Sequence, residues 1–270
     1  MIIKTVKFPN QVTLPYVEQG DPVGPPLLLL HGYSGSLYSF EPLLDHLSTS
    51  IHAFALTQRG HGDASKPEGP YTLDVFAADA AAFLRAMNLE SATVLGHSMG
   101  SAVALRMALD YPERVRALVL IGAGPLEPGG PKERVMWETT LSKLEDPIDP
   151  LFVRKFIEGV YVGSIPEERV EATVQNSQKM PARVWRAVMK GRIEGAATSG
   201  DLSEIGAPTL IVWGDQDIHF DRSKQDALLA AIPNSRLKVY PGMGHGPHAA
   251  VPEQLASDVT AFVFEVAQGS

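Results

Sequence analysis

Four short runs in this chain are apolar at nearly every position: 27–30 (Leu-Leu-Leu-Leu), 92–95 (Ala-Thr-Val-Leu), 117–121 (Ala-Leu-Val-Leu-Ile) and 209–213 (Thr-Leu-Ile-Val-Trp). A strand with one wet face alternates apolar and polar residues. A strand without alternation is buried on both faces, which is the condition of a parallel sheet covered by helices on each side. The segments between the runs fit that reading. Residues 38–48, 72–87 and 101–109 carry apolar side chains at helical spacing, and Asn88 reads as a helix stop. Residues 2–8 and 12–18 read as an edge hairpin about Pro9-Asn10, and 51–56 as a further strand. After 206 the rhythm continues with a helix at 222–231, a strand at 236–240 and a helix at 252–267. The expected fold class is therefore α/β, a mostly parallel sheet with helices on both faces.

The rhythm fails over one stretch. Between Gly124 and Gly206 no strand-like run occurs, and the segment reads as several short helices rich in charge. The expected organisation is a core built from 1–124 and 206–270, with 125–205 as a helical cap inserted into it. Trp137, Phe156 and Trp185 in that stretch are candidates for lining a substrate pocket. They are also the kind of residue a cap needs in order to pack.

Gly96-His97-Ser98-Met99-Gly100 joins the run at 92–95 to a helical segment. Strand, sharp turn and helix is the setting in which G-x-S-x-G exposes a serine hydroxyl at a helix N-terminus. A serine needs a base, and the base needs a carboxylate to hold it. Gly214-Asp215-Gln216-Asp217 follows one later strand and Gly242-Met243-Gly244-His245 follows another. Ser98, Asp217 and His245 thus stand at carboxyl ends of strands, where open α/β sheets place their sites. The competing candidates are His248 for the base, with Asp215 or Glu127 for the acid. His31 is expected to bond loop backbone, and His61 to be solvated or packed in its loop. Asp63, Asp74 and Asp79 are expected on turns and helix surfaces, and the Asp217/His219/Asp221 group as surface chemistry rather than a metal site.

In these motifs, with His31-Gly32 after the first buried run, the chain resembles the cap-containing serine hydrolases of the α/β-hydrolase family over about residues 10–265. The resemblance implies Ser98 as nucleophile, His245 as base and Asp217 as its orienting acid. It also implies an oxyanion hole from the backbone N–H groups of Tyr33 and Met99, and no cofactor. Many relatives carry aspartate where Gln58 stands; the difference leaves the triad intact and makes that loop's geometry this chain's own. The expected activity is hydrolysis of a carboxylic ester or lactone, on a small substrate with an apolar group. The same triad also serves C–C bond hydrolysis and cofactor-free perhydrolysis (haloperoxidase-type activity), and a ligand-sensing protein with little turnover is the alternative of another class.

Composition narrows the rest. With 31 acidic and 23 basic residues and a net charge of −8, the chain is a poor partner for nucleic acid or an anionic membrane. It has no cysteine, which removes disulfides and thiol chemistry. The N-terminus lacks the apolar core of a signal peptide, so a cytoplasmic monomer or homodimer is expected, and Gly269-Ser270 reads as native or a cloning remnant.

Overall fold

The structure is a computed structural model that describes residues 1–161, 165–195 and 200–269. Parts of the expected helical stretch (162–164 and 196–199) and Ser270 lie outside the described residues.

Eight strands form one sheet: β1 (Ile3–Lys7), β2 (Thr13–Gln19), β3 (Pro26–Leu30), β4 (His52–Leu56), β5 (Ala92–His97), β6 (Val115–Ile121), β7 (Thr209–Gly214) and β8 (Ser235–Tyr240). Their spatial order is β1-β2-β4-β3-β5-β6-β7-β8. The β1–β2 and β2–β4 pairs are antiparallel and all others parallel. The absence of alternation has the expected cause. Leu28 and Leu30 pack into the cluster on one face of the sheet, whereas Leu27 and Leu29 pack into the cluster on the other.

Helices cover both faces. On one side lie α2 (Leu73–Ala86) and α3 (Met99–Asp110); on the other lie the single turn α1 (Glu41–Leu44) and, closing the chain, α10 (Pro252–Gln268). The stripe of α2 is Leu73, Phe76, Ala77, Ala80, Phe83 and Leu84, the spacing of one helical face. It ends where Asn88 takes φ 57°, a left-handed conformation that asparagine tolerates. The helix expected over 38–48 is shorter than its pattern. A 3₁₀ turn at Leu37–Phe40 leads into α1, and Pro42 stands in its first turn.

Between β6 and β7 the chain forms α4 (Pro131–Thr139), α5 (Pro150–Val160), α6 (Glu167–Gln178) and α7 (Ala182–Glu194), with no strand among the described residues. These helices unite with the α2/α3 cluster through Val153, Ile157, Val174, Trp185 and Val188. Helix α4 is the exception and buries no residue fully. Beyond β7 come α8 (Arg222–Ala231) and the single turn α9 (Pro247–Ala250). Among the described residues no helix is long and apolar enough to cross a membrane.

Candidate active site

Ser98 sits between β5 and α3 at φ 53°, ψ −115°. For a residue with a Cβ this is a strained conformation, held only where surroundings over-determine it. They do. Ser98 N–H donates to the Ile121 carbonyl (2.9 Å). One turn into α3, Ser101 Oγ donates within the same turn, 2.7 Å from the Gly96 carbonyl and 3.1 Å from that of Ile121. Ser101 is a supporting residue the motif does not advertise, since its neighbours are set by the strand pairing. Helix α3 also crosses β3 so closely that a Cβ on Gly100 would lie 1.9 Å from the Leu30 carbonyl oxygen. Only glycine permits that approach.

His245 stands in the loop after β8. Its Nδ1 donates to Asp217 Oδ2 at 2.8 Å, with both side chains buried. That bond fixes the tautomer and leaves Nε2 free to accept a proton. Asp217 Oδ1 accepts the N–H groups of His219 (2.8 Å) and Phe220 (3.1 Å). Burial works to raise the pKa of Asp217. The hydrogen bond and charge of His245, with those two N–H groups, outweigh it and hold the carboxyl below its ordinary value. The backbone makes room for the His245 ring at Gly122, where φ is +54° and a Cβ would meet that ring at 2.7 Å. The carbonyl of His245 is held as well, 3.1 Å from Nε2 of His97.

Ser98, Met99, His245, Gly32 and Tyr33 all open onto one cavity of about 350 Å³. A Cβ on Gly32 would lie 3.3 Å from Ser98 Cβ, so the loop after β3 abuts the serine. Met99 is the first residue of α3, and its N–H has no acceptor within the helix. The loop after β3 is locked from behind. His31 Nε2 accepts the Gln58 N–H (3.0 Å), its Nδ1 donates to the Gly32 carbonyl (2.8 Å), and Gln58 Nε2 donates to the His31 carbonyl (2.8 Å). Gln58, which comes from the loop after β4, is therefore part of the lock. Tyr33 carries the loop to the helices above it, its hydroxyl donating to the Trp185 carbonyl at 2.7 Å.

Several expectations are corrected. Phe156 lines the cavity, but Trp137 and Trp185 do not. Trp185 is wholly buried behind the wall, its ring 5.0 Å from that of Tyr33 and 5.2 Å from that of Phe156. The spacing that makes α7 amphipathic directs it inward rather than at the opening. His248, the competing candidate for the base, does not line the cavity. It is buried against His97 and Phe40, with neither ring nitrogen hydrogen-bonded. Of the Asp217/His219/Asp221 group Asp217 is buried, whereas His219 is exposed as expected, its ring 4.8 Å from that of His245 and its Nε2 3.2 Å from the Gly159 carbonyl of α5. Of the two forms expected for His61 the structure has the packed one: it is buried against His31, its Nδ1 bonded to the Arg59 carbonyl, and burial lowers its pKa to about 4. Asp79 is not on a helix surface; it is buried and paired with both Arg59 Nε (2.5 Å) and Arg59 Nη2 (2.6 Å). Asp215 tightens its turn by accepting the Gly242 N–H at 2.7 Å, and the Glu127 carboxylate is taken by Lys224.

The chain is similar to proteins of known kind along nearly its whole length. It is 26% identical to Lipase 3 of Moraxella sp. (strain TA144), over 96% of this chain and 84% of that protein. It is 28% identical to the poly(3-hydroxyalkanoate) depolymerase of Ectopseudomonas oleovorans, over 88% and 84%. The crystal structure of esterase RhEst1 from Rhodococcus sp. ECU1013 superposes with a TM-score of 0.83 at 25% identity, over 98% of this chain and 100% of that one. Residues 25–161 match the model of the alpha/beta hydrolase fold, and with the strand order and the serine turn described above, the chain belongs to that family.

Proposed function

We propose that this chain, an ester-hydrolysing enzyme, cleaves carboxylic esters or lactones through an acyl-enzyme formed on Ser98. The observation that carries the reading is the strained Ser98 turn opening onto the same cavity as the His245–Asp217 pair. In this reading Ser98 Oγ attacks the ester carbonyl carbon while His245 Nε2 takes its proton. The Asp217 carboxylate stabilises the imidazolium that results. The developing oxyanion is received by the N–H groups of Tyr33 and Met99, and losing one such donor costs about 3–4 kcal/mol of transition-state stabilisation. The imidazolium then protonates the leaving alcohol. Water, deprotonated by the same nitrogen, attacks the acyl carbon and releases the acid. Residues 125–205 act as a cap, whose Phe156, Met136 and Val188 supply an apolar wall suited to a hydrocarbon portion of the substrate. The chemistry as written draws on protein groups alone.

The test is hydrolysis of p-nitrophenyl esters of graded acyl length, with several lactones, by wild type and Ser98→Ala. The expected outcome is turnover that falls about 10⁴-fold or more in the variant. A folded wild type that cleaves none of them, but acts on a β-diketone or supports peroxide-dependent halogenation, overturns the reading in favour of that chemistry. Tight ligand binding without turnover overturns it in favour of a sensor.

A further inference from the structure

The cavity wall contributed by α4, α5 and α7 is not uniformly apolar. It carries Lys132, Glu133, Lys155 and Arg192. The chain as a whole has 31 acidic and 23 basic residues, yet here cations outnumber carboxylates three to one. A local reversal of sign inside a concave site focuses a positive field on whatever enters it.

Arg192 is the centre of this feature. It lies in the last turn of α7, where its backbone carbonyl accepts the Gly129 N–H. Its guanidinium donates to the Glu127 carbonyl. That bond uses one N–H and neutralises no charge. The carboxylates of Glu127 and Glu133 attract it, but no ion pair within 4.0 Å forms to either among the described residues, and Glu127 is already paired with Lys224. Burial works against the charge on Arg192. An anion entering the cavity therefore relieves a cost the protein now carries, and a guanidinium retains donors enough to grip a carboxylate with two parallel bonds. Lys155 and Lys132 are exposed, and Lys132 gives one of its donors to the Ile218 carbonyl. The neutral polar groups nearby are taken, with the Tyr33 hydroxyl on the Trp185 carbonyl and the Tyr71 hydroxyl on that of Pro67. What the wall still has to offer a ligand is positive charge.

We infer that the site takes esters that carry a free carboxylate remote from the scissile bond, such as half-esters of linear dicarboxylic acids, with Arg192 as the residue that holds the anion. This rests on the proposed ester hydrolysis and adds the substrate class to it. Lys155 and Lys132 strengthen the field, and Phe156 and Met136 line the apolar span between the two ends of such a substrate.

The test compares kcat/KM for monoethyl and diethyl esters of the acids from succinate to suberate. Wild type is expected to favour the half-ester by about 10-fold or more at its best chain length, the worth of one good charge-assisted pair. Arg192→Met should lose that ratio and Arg192→Lys should keep part of it, having the charge without the fork. Lys190→Met, on the same helix and paired with Glu194 outside the cavity, should keep it in full. Added salt should shrink it. Diester turnover without discrimination at every length, or a ratio that Arg192→Met leaves intact, overturns the carboxylate assignment while ester hydrolysis stands. If wild type cleaves neither series, the ester reading fails instead, and calorimetric titration of Ser98→Ala with the free dicarboxylates decides the anion site alone. Binding that Ser98→Ala/Arg192→Met has lost supports the assignment; no binding overturns it.

Discussion

Around Ser98 the groups that face the cavity are held by hydrogen bonds and close backbone approaches, and the far wall is held mainly by packing. Ser98 is pinned by its own N–H and by Ser101, His245 by its carbonyl and by the space that Gly122 leaves, and the loop after β3 by His31 and Gln58. All six residues of β5 and of β7 are buried. On the other side, α4 buries nothing fully, and the helical segment meets the sheet domain through packing and a few tethers, among them Tyr33 on Trp185 and His219 on Gly159. The difference teaches that the two halves are determined to different degrees. The half proposed to do chemistry tolerates almost no displacement. The half proposed to choose substrates can be repacked without disturbing the first.

Three substitutions test that contrast. The largest effect is expected on the sheet side. Gly122→Ala adds a Cβ at positive φ within 2.7 Å of the His245 ring, so either the ring or the backbone must shift. A displacement of that kind costs about 10²-fold in kcat, and ester kinetics measure it. If Gly122→Ala keeps wild-type turnover, the base is held less tightly than its surroundings indicate.

On the helical side the expected effect falls on stability. Trp185 is wholly buried among Tyr33, Phe152 and Phe156. Trp185→Ala should cost about 3–5 kcal/mol in denaturant unfolding, as a large cavity does. Within the temperature range where the variant stays folded, the ester leaving-group dependence should match wild type. A changed dependence would mean that the two halves are coupled more closely than drawn here.

The smallest effect concerns acid. His31, His61, His97 and His248 are buried as neutral rings, with His61 lowered to about 4 and His248 to about 3. A histidine whose folded pKa lies below its unfolded value of 6.5 supports the fold fully above that value. The support is lost as pH falls from there through the folded pKa, because the unfolded chain then binds the proton more readily. Asp217, also lowered, adds a second loss at still lower pH, as its carboxylate is protonated in the folded state. Melting temperature should therefore begin to fall below about pH 6.5. His248→Leu removes one such ring together with its unpartnered N–H, a group whose burial costs about 1–3 kcal/mol. It should raise the melting temperature, and more so at acid than at neutral pH. A uniform decrease would show that the ring is hydrogen-bonded in solution after all.

How far the sequence could be read follows the same division. Backbone constraints leave marks in sequence. The four apolar runs became β3, β5, β6 and β7, and Ser98, Asp217 and His245 fall just past strands, Ser98 and His245 lining one cavity and Asp217 bonded to His245. Glycine at positions 100 and 122 is the trace of a close approach and a left-handed turn. Side-chain placement leaves no such mark. Trp137, Phe156 and Trp185 look alike in sequence, and only one lines the cavity, because which face of a short helix turns inward depends on partners far away in the chain. Asp79 sits at a helical position that reads as surface, and only the guanidinium of Arg59, twenty residues earlier, makes its burial affordable. Arg192 has no local signal either, since its partners Glu127, Gly129 and Glu133 lie far earlier in the chain.

The Tyr33 hydroxyl donates to the carbonyl of residue 185, not to its side chain. Every amino acid supplies that carbonyl, so mutation at 185 can alter what packs behind the cavity wall and leave the link from α7 to the loop after β3 intact. A lineage, or an engineer, can therefore explore new substrate preferences through this helix one residue at a time. Intermediates would keep the loop after β3 tied to α7 while the pocket is rebuilt around it.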